Sequence, residues 1–206
     1  MAILAVVAVA ILAAAFAAGT QVGRDRPPES TSVEAGFARD MQVHHAQAVE
    51  MSLVVRDRSN DPQIRGLAYD IATSQQQQMG QMAAWLQLWN LPAVGTQEQM
   101  AWMPGTPGHT RMGMSASAGR MPGMASPEEL QRLRDTDGRA AEVLFRQLMI
   151  RHHEAGAVMA DSARQRTDVP VVRDLTSAIV TSQRNEMRVM GRLLSVRGAS
   201  TLDRES

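Results

Sequence analysis

Apolar positions recur with helical spacing along two neighbouring segments of the chain. The first stripe follows steps of four, three, four and three residues and is formed by Phe37, Met41, His44, Ala48 and Met51. The second stripe is formed by Leu67, Ile71, Gln75, Met79, Met82 and Leu86. Such spacing places the residues of each stripe on one face of a helix. The two segments are therefore predicted to be amphipathic helices.

Capping and turn residues set the expected ends of these two helices. Thr31 and Glu34 have the spacing of a capping box, which predicts that the first helix begins near Thr31. The stretch Ser59-Asn60-Asp61-Pro62 ends it. Asp61 is expected to cap the second helix, with proline at its first position. The second helix should end before Asn90-Leu91-Pro92.

The same pattern returns 108 positions later. Residues 37–86 align without a gap to residues 145–194, and 17 of the 50 pairs are identical, including both members of the two His-His pairs. Self-similarity of this kind marks an internal duplication. We therefore expect each copy to adopt the same structure.

The second copy has its own helix signals. A short helix should open at Ser126-Pro127-Glu128-Glu129, with a break at Asp135–Gly138. A long helix should hold Phe145–Met159, and the last helix should run from near Pro170 to Gly198. Two antiparallel helical hairpins bury their apolar seams best against each other, so the predicted fold is an all-α four-helix bundle.

The N-terminal segment differs from the rest of the chain. Residues 1–23 have no charged side chain and would span roughly 34 Å as a helix, which indicates a membrane anchor or a signal peptide. We expect an extracytoplasmic domain. The predicted organisation is this segment, a linker at 24–31, a duplicated bundle at 32–198 (halves 32–90 and 126–198, Met-rich crossover loop 91–125) and a tail at 199–206.

Composition narrows the possible chemistry. The formal net charge is zero, so no basic surface indicates nucleic-acid binding. Cysteine is absent, whereas there are 15 methionines and five histidines. Any soft-metal site must therefore use thioether and imidazole ligands, which suit Cu(I) and, by the same softness, Ag(I).

The His-His pairs have two interpretations. His44, His45, His152 and His153 lie at equivalent positions of the two copies, and a two-fold-like bundle would bring them toward one centre. They could bind a metal ion together with methionines of the same helices, Met41, Met51, Met149 and Met159. Alternatively, the histidines form a buried hydrogen-bond network and the methionines fill the core.

Other methionines are secondary metal-ligand candidates. Those on the partner helices are Met79, Met82, Met187 and Met190. The crossover loop is expected to be mobile, and its candidates are His109, Met112, Met114, Met121 and Met124. These loop side chains could capture Cu(I), or they could form an adaptable hydrophobic lid. Arg151 and Glu154 beside the second histidine pair are expected to be solvated, and Glu186 is a candidate partner for an imidazole.

Catalytic motifs are missing from the sequence. No Glu-x-x-His pair of di-iron bundles, no His-x-x-x-His zinc spacing and no phosphate-binding glycine loop occurs. No general acid or base is evident beside the histidines. We therefore expect a protein without catalytic activity.

Several stretches resemble a bacterial family called domain of unknown function 305. They are FARDMQVHHAQAVEM, LMIRHHEAGAVMA, the lead-in MPGMASPEEL and the SQ–Met–Met patterns at 74–82 and 182–190. The resemblance covers about residues 32–197. It implies a ferritin-like four-helix bundle, usually exported or membrane-anchored, with copper binding in some members, and it makes the four histidines and Met41, Met51, Met149 and Met159 the motif residues. Gln78 departs from the family, which often has Glu there.

These observations together predict copper binding, with Cu(I) preferred, for sequestration or delivery. The expected partners are the metal ion and a metal-delivery protein, together with the membrane if the N-terminal helix is uncleaved. The alternative is a structural or protein-interaction bundle without a metal.

Overall fold

The computed structural model describes residues 26–103 and 121–196, and within these ranges all regular structure is helical. The five helices are α1 (Val33–Arg58), α2 (Pro62–Leu88), α3 (Pro127–Arg134), α4 (Gly138–Arg166) and α5 (Pro170–Val196). The four long helices form the predicted ferritin-like bundle. The proposed N-terminal anchor or signal, residues 1–23, lies outside the described residues.

The helix ends follow the predicted caps with one exception. Asp61 caps α2 through the Gln63 N–H, as expected. At α1, however, the N-cap is Ser32, whose hydroxyl accepts from the Ala35 N–H. The prediction of Thr31 as the cap was therefore wrong. Glu34 does not close a capping box with it, because its carboxylate accepts a hydrogen bond from the distant Thr167 hydroxyl.

The second copy begins with the short helix that the sequence predicted. Ser126 and Glu129 form a complete capping box, in which each side chain bonds the backbone N–H of the other residue. Helix α3 then ends at Arg134, and α4 begins at Gly138, which places the break where it was expected.

The hairpins of the two copies meet through their first helices. α1 packs along α2, α4 packs along α5, and α1 also packs against α4. Two apolar clusters form the core, and side chains of all four long helices contribute to each of them. We name them the Met41 cluster, which includes Met82 and Met159, and the Met51 cluster, which includes Met149.

The first end of the crossover folds back onto α1. The Asp40 carboxylate accepts hydrogen bonds from the Met100 N–H (2.7 Å) and the Trp102 indole N–H (2.8 Å). The Trp102 ring packs edge-on against Phe37, and its carbonyl accepts from Arg166. The crossover therefore begins as part of the packed structure.

The prediction of a mobile crossover was wrong for its described ends. Trp102, Met103, Met121 and Ala125 are all buried. Their Gly- and Pro-rich surroundings form no helix, but buried apolar side chains can hold an irregular segment against the core as well as they hold a helix. His109, Met112 and Met114 lie outside the described residues.

None of the helices in the described ranges is both long enough and apolar enough to cross a membrane.

Candidate metal centre

All four motif histidines lie at the middle of the bundle and are fully buried. On α1, His44 and His45 separate the Met41 cluster from the Met51 cluster, and His152 and His153 do the same on α4. Adjacent helical residues project about 100° apart, so the two members of a pair face different neighbours. His44 faces α4, whereas His45 faces α2.

The inner histidines of the two copies touch each other. The ring centroids of His44 and His152 are 3.7 Å apart, with a 33° angle between the rings. His152 Nε2 lies 3.0 Å from the His44 carbonyl oxygen, to which it must donate a hydrogen bond, because a carbonyl only accepts. This places the proton on Nε2 and leaves a lone pair on His152 Nδ1.

Gly156 permits this close contact between α1 and α4. A Cβ atom at Gly156 would lie 3.0 Å from His44 Cε1 and 2.8 Å from the Gln183 amide oxygen. The amides of Gln183 and of its counterpart Gln75 are buried without a hydrogen-bond partner in the described part of the chain. The centre therefore contains a second duplicated polar pair beside the histidines.

The outer histidines each bond one residue of the second helix in their own hairpin. His45 Nε2 lies 2.7 Å from Gln78 Oε1, and His153 Nε2 lies 2.5 Å from Glu186 Oε2. An ionised carboxylate accepts only, so the His153 proton is also on Nε2. With Gln78 oriented to accept, His45 adopts the same tautomer. The prediction that Glu186 partners an imidazole is confirmed.

The ring nitrogens that make no hydrogen bond are the candidate metal ligands of the site. Within residues 26–103 and 121–196, Nδ1 of each of the four histidines lacks a well-formed hydrogen bond, and so does Nε2 of His44, whose ring has only a looser contact with the Pro122 backbone. An unpartnered buried polar atom is costly. Three of these Nδ1 atoms carry lone pairs in the tautomers derived above, which is the form of imidazole that binds metal ions.

The described side chains do not form a complete metal site from His and carboxylate groups alone. No three His, Cys, Asp or Glu residues of the described ranges gather so that they could hold one ion. The imidazoles instead meet as pairs, with 3.7 Å between the inner rings and 6.1 Å between the His152 and His153 rings. A complete coordination sphere would need further donors or a small movement of these rings.

Burial keeps His44, His45 and His152 neutral. Desolvation lowers the pKa of His44 and of His152 well below the ordinary value of 6.5, and the neighbouring histidines lower it further. Desolvation also lowers the pKa of His45 to about 4, against the opposing effect of the hydrogen bond that His45 donates to Gln78. Neutral imidazole is the metal-binding form, so these three side chains are prepared for coordination at neutral pH.

The motif methionines lie on both sides of the histidines. Met41 and Met159 belong to the Met41 cluster, together with Met82 and Met121, and Met124 is half-buried against it. Met51 and Met149 belong to the Met51 cluster, together with Met190 and the half-buried Met187. Met79 is half-buried. The imidazoles therefore lie between two core clusters that both contain methionine thioethers.

The second end of the crossover covers the inner histidine pair. Gln47 on α1 donates to the Ala125 carbonyl (3.0 Å) and accepts from the Ala125 N–H (2.7 Å). Gly123 has a φ of +76°, and a Cβ there would lie 2.5 Å from the Ala155 Cβ. Pro122 lies beside the His44 ring. The sequence interpretation missed Gln47, although the MPGM stretch was a signal for a tight turn.

The prediction that Arg151 is merely solvated was also wrong. Arg151 is half-buried and forms a two-point ion pair with Glu129, at 2.5 and 3.0 Å. Burial raises the pKa of Glu129, but the Arg151 bonds and the Ser126 N–H outweigh it, so that pKa is lowered overall. This pair ties α3 to α4 directly before the second histidine pair.

Comparisons with known proteins agree with this architecture. The family model "Domain of unknown function (DUF305)" matches residues 34–194. A DUF305 protein of Streptomyces coelicolor, whose description infers secretion, is 45% identical, with a TM-score of 0.76 over 85% of this chain and 99% of that one. A DUF305 fragment of Deinococcus radiodurans is 35% identical, with a TM-score of 0.64 over 82% and 99%.

A more distant structure has the same fold. CopM in the Cu(I)-bound form is 20% identical, with a TM-score of 0.60 over 80% of this chain and 96% of that one. CopM structures in Cu(II)-bound and Ag-bound forms also match. Comparison with curated protein sequences finds no match. The family model spans both histidine pairs and all four long helices, and this chain belongs to the DUF305 family.

Proposed function

We propose that this protein binds copper, with Cu(I) preferred and Ag(I) as an analogue, through His44, His45, His152 and His153. The observation that carries the proposal is the set of fully buried imidazoles whose Nδ1 atoms have no well-formed hydrogen bond among the described residues. Two of these histidines, His152 and His153, are held with Nε2 bound to oxygen, so their Nδ1 lone pairs are available.

The surrounding donors favour a soft ion. The chain has no cysteine, and the motif methionines lie in the clusters on either side of the histidines. Thioether sulfur selects Cu(I) and Ag(I) over hard cations. Met41, Met51, Met149 and Met159 are therefore the proposed thioether donors. A carboxylate site for Mg²⁺ or Ca²⁺ would need several oxygen ligands, whereas Glu186 is already bonded to His153.

The comparisons support this proposal at the level of the family. CopM has been solved with Cu(I), Cu(II) and Ag, and it has the same fold as this chain. We propose a role in extracytoplasmic metal sequestration or delivery, without catalysis, which agrees with the inferred secretion of the Streptomyces coelicolor relative. The remaining crossover candidates, His109, Met112 and Met114, are proposed as additional capture groups.

One observation favours the alternative of a structural network. The His152 hydrogen bond to the His44 carbonyl joins the two hairpins directly, as a bond that stabilises the fold would. In that case replacing the histidines should unfold the bundle whether or not metal is present. In the metal-binding case it should abolish binding while leaving most helicity intact.

The test is a Cu(I) titration of the purified protein against a colorimetric chelator under reducing conditions, with Zn(II) in parallel. Tight Cu(I) binding that is lost in the folded His44→Gln/His45→Gln/His152→Gln/His153→Gln variant would support the proposal. A matched control is Met103→Leu, which removes a buried thioether of the crossover that is not among the candidate ligands. Unchanged Cu(I) affinity in the quadruple variant would refute the assignment of the site.

A further inference from the structure

The two hairpins differ in the residue that is hydrogen-bonded to the outer histidine. His45 and Gln78, and His153 and Glu186, are separated by the same 33 residues, and both bonds use Nε2. The two hydrogen bonds are 2.7 and 2.5 Å long, and both histidines are fully buried. The duplicated geometry is therefore nearly the same, while a neutral amide in one hairpin replaces a carboxylate in the other.

A carboxylate and an amide have different effects on the imidazole that they bond. A carboxylate that accepts the Nε2 proton increases the electron density at the opposite nitrogen, so Nδ1 becomes a stronger ligand. It also places a negative charge near the site, and the Glu186 side chain is only 20% exposed, so water screens this charge incompletely. The Gln78 amide fixes the ring of His45 but adds no charge.

The charge acts unequally on the two oxidation states of copper. The attraction between Glu186 and a metal ion scales with the charge of the ion, so Cu²⁺ gains about twice as much as Cu⁺ at the same distance. A carboxylate in this position should therefore strengthen binding of both ions, and of Cu(II) more.

We propose that Glu186 is a positioning residue that makes His153 the stronger of the two outer ligands and sets how well the site retains Cu(II) relative to Cu(I). This inference rests on the proposed copper binding. It assigns unequal roles to two halves whose histidines and methionines are equivalent in sequence. The first hairpin, with Gln78, is the half with the greater relative preference for Cu(I).

The first part of the test needs no metal. Nitrogen-15 NMR of the imidazoles in the apo protein should show His153 with its proton on Nε2. In Glu186→Gln this assignment should weaken, because an amide can present either oxygen or nitrogen to the ring. A His153 proton on Nδ1 in the wild-type protein would overturn the proposal.

The second part compares affinities for Cu(I), under reducing conditions, and for Cu(II), in air. Glu186→Gln should lower Cu(II) affinity by about 10–100-fold and Cu(I) affinity by clearly less. Gln78→Glu should raise the Cu(II)-to-Cu(I) affinity ratio. The double variant Gln78→Glu/Glu186→Gln exchanges the two partners and should restore a ratio close to that of the wild type. Glu154→Gln, which removes a half-buried charge next to His153 in the chain, is the control and should change the ratio little.

The outcomes separate the two proposals. If the wild type binds neither ion, the proposed function fails, and the present inference fails with it. If the wild type binds copper but Glu186→Gln changes both affinities equally or not at all, only the present inference is overturned. A variant with a lower unfolding temperature but an unchanged ratio would show that Glu186 is structural alone.

Discussion

Acidification should destabilise the metal-free protein strongly between pH 7 and pH 5. His44, His45 and His152 are buried, and their pKa values in the folded state lie below the ordinary value of 6.5. In the unfolded chain these side chains bind protons as the pH falls through 6.5, whereas in the folded chain they stay neutral. The unfolded state then binds more protons, so the free energy of unfolding decreases as the pH falls.

The magnitude follows from the size of the pKa shifts. For His45, whose pKa is lowered to about 4, the linkage relation gives a loss of about 2 kcal/mol between pH 7 and pH 5. The pKa values of His44 and His152 are lowered in the same direction and by the same main cause, burial, so these two histidines add to the loss. A typical domain has about 5–15 kcal/mol of total stability, so a loss that exceeds the His45 contribution is a large part of it.

Two carboxyl groups also have shifted pKa values, and neither adds to this loss. The pKa of Glu129 is lowered below 4.5, so the stability it provides is lost only at more acidic pH. Burial raises the pKa of Asp40 above 3.8, despite hydrogen bonds from Met100 and Trp102. A raised carboxyl pKa stabilises the folded state as the pH falls, so Asp40 opposes the histidines.

The assay is urea unfolding of the chelator-treated protein at pH 7, 6 and 5, followed by circular dichroism. His45→Gln should remove about a third of the pH dependence, because one of three shifted groups is lost. His109→Asn, in the crossover outside the described residues, is the comparison variant. A free energy of unfolding that stays constant from pH 7 to pH 5 would refute the reasoning, as would a pH slope that His45→Gln leaves unchanged.

Three further predictions concern the packing around the histidines. Gly123→Ala should destabilise the fold by about 1–3 kcal/mol in urea unfolding, because of its positive φ and the close contact with α4, while Gly66→Ala, in open space on α2, should stabilise it by about 0.5–1 kcal/mol. Equal effects of the two substitutions would contradict this. Asp40→Ala should lower the free energy of unfolding by about 2–4 kcal/mol and change the fluorescence of Trp102, because two buried donors lose their acceptor. An unchanged spectrum would argue against the docked crossover. Gln47→Ala should increase proteolytic cleavage near residues 121–125, and Gln47→Glu, which can still accept one hydrogen bond, should increase it less. Cleavage rates equal to the wild type would show that the two Gln47 hydrogen bonds to Ala125 do not hold this segment.

The bundle was predictable because its determinants are local and repeated. The stripes of Phe37–Met51 and the duplicated helix signals specify helices by spacing alone, and the second copy confirms the first. The burial of all four histidines was harder to predict from the sequence. Helical geometry shows that neighbouring residues face different directions, but it does not show that α2 covers one and α4 the other.

The parts that the sequence did not predict depend on long-range contacts. Asp40 lies in a helix with an ordinary amphipathic sequence, and its hydrogen bonds to Met100 and Trp102 span about sixty residues. Gln47 likewise bonds Ala125 across 78 residues. No local pattern indicates either contact, because polar residues on a helix usually face water. The Thr31 cap failed for a different reason, since Ser32 beside it is an equally good cap.

The contact between His44 and His152 has a consequence for the ancestry of the chain. Equivalent residues of two copies touch each other here, as they would beside the two-fold axis of a symmetric dimer of identical hairpins. In such a dimer any substitution appears twice, so both outer histidines would always have the same partner. Fusion of the two hairpins into one gene removes that restriction. The difference between Gln78 and Glu186 is a change that only the fused form can carry.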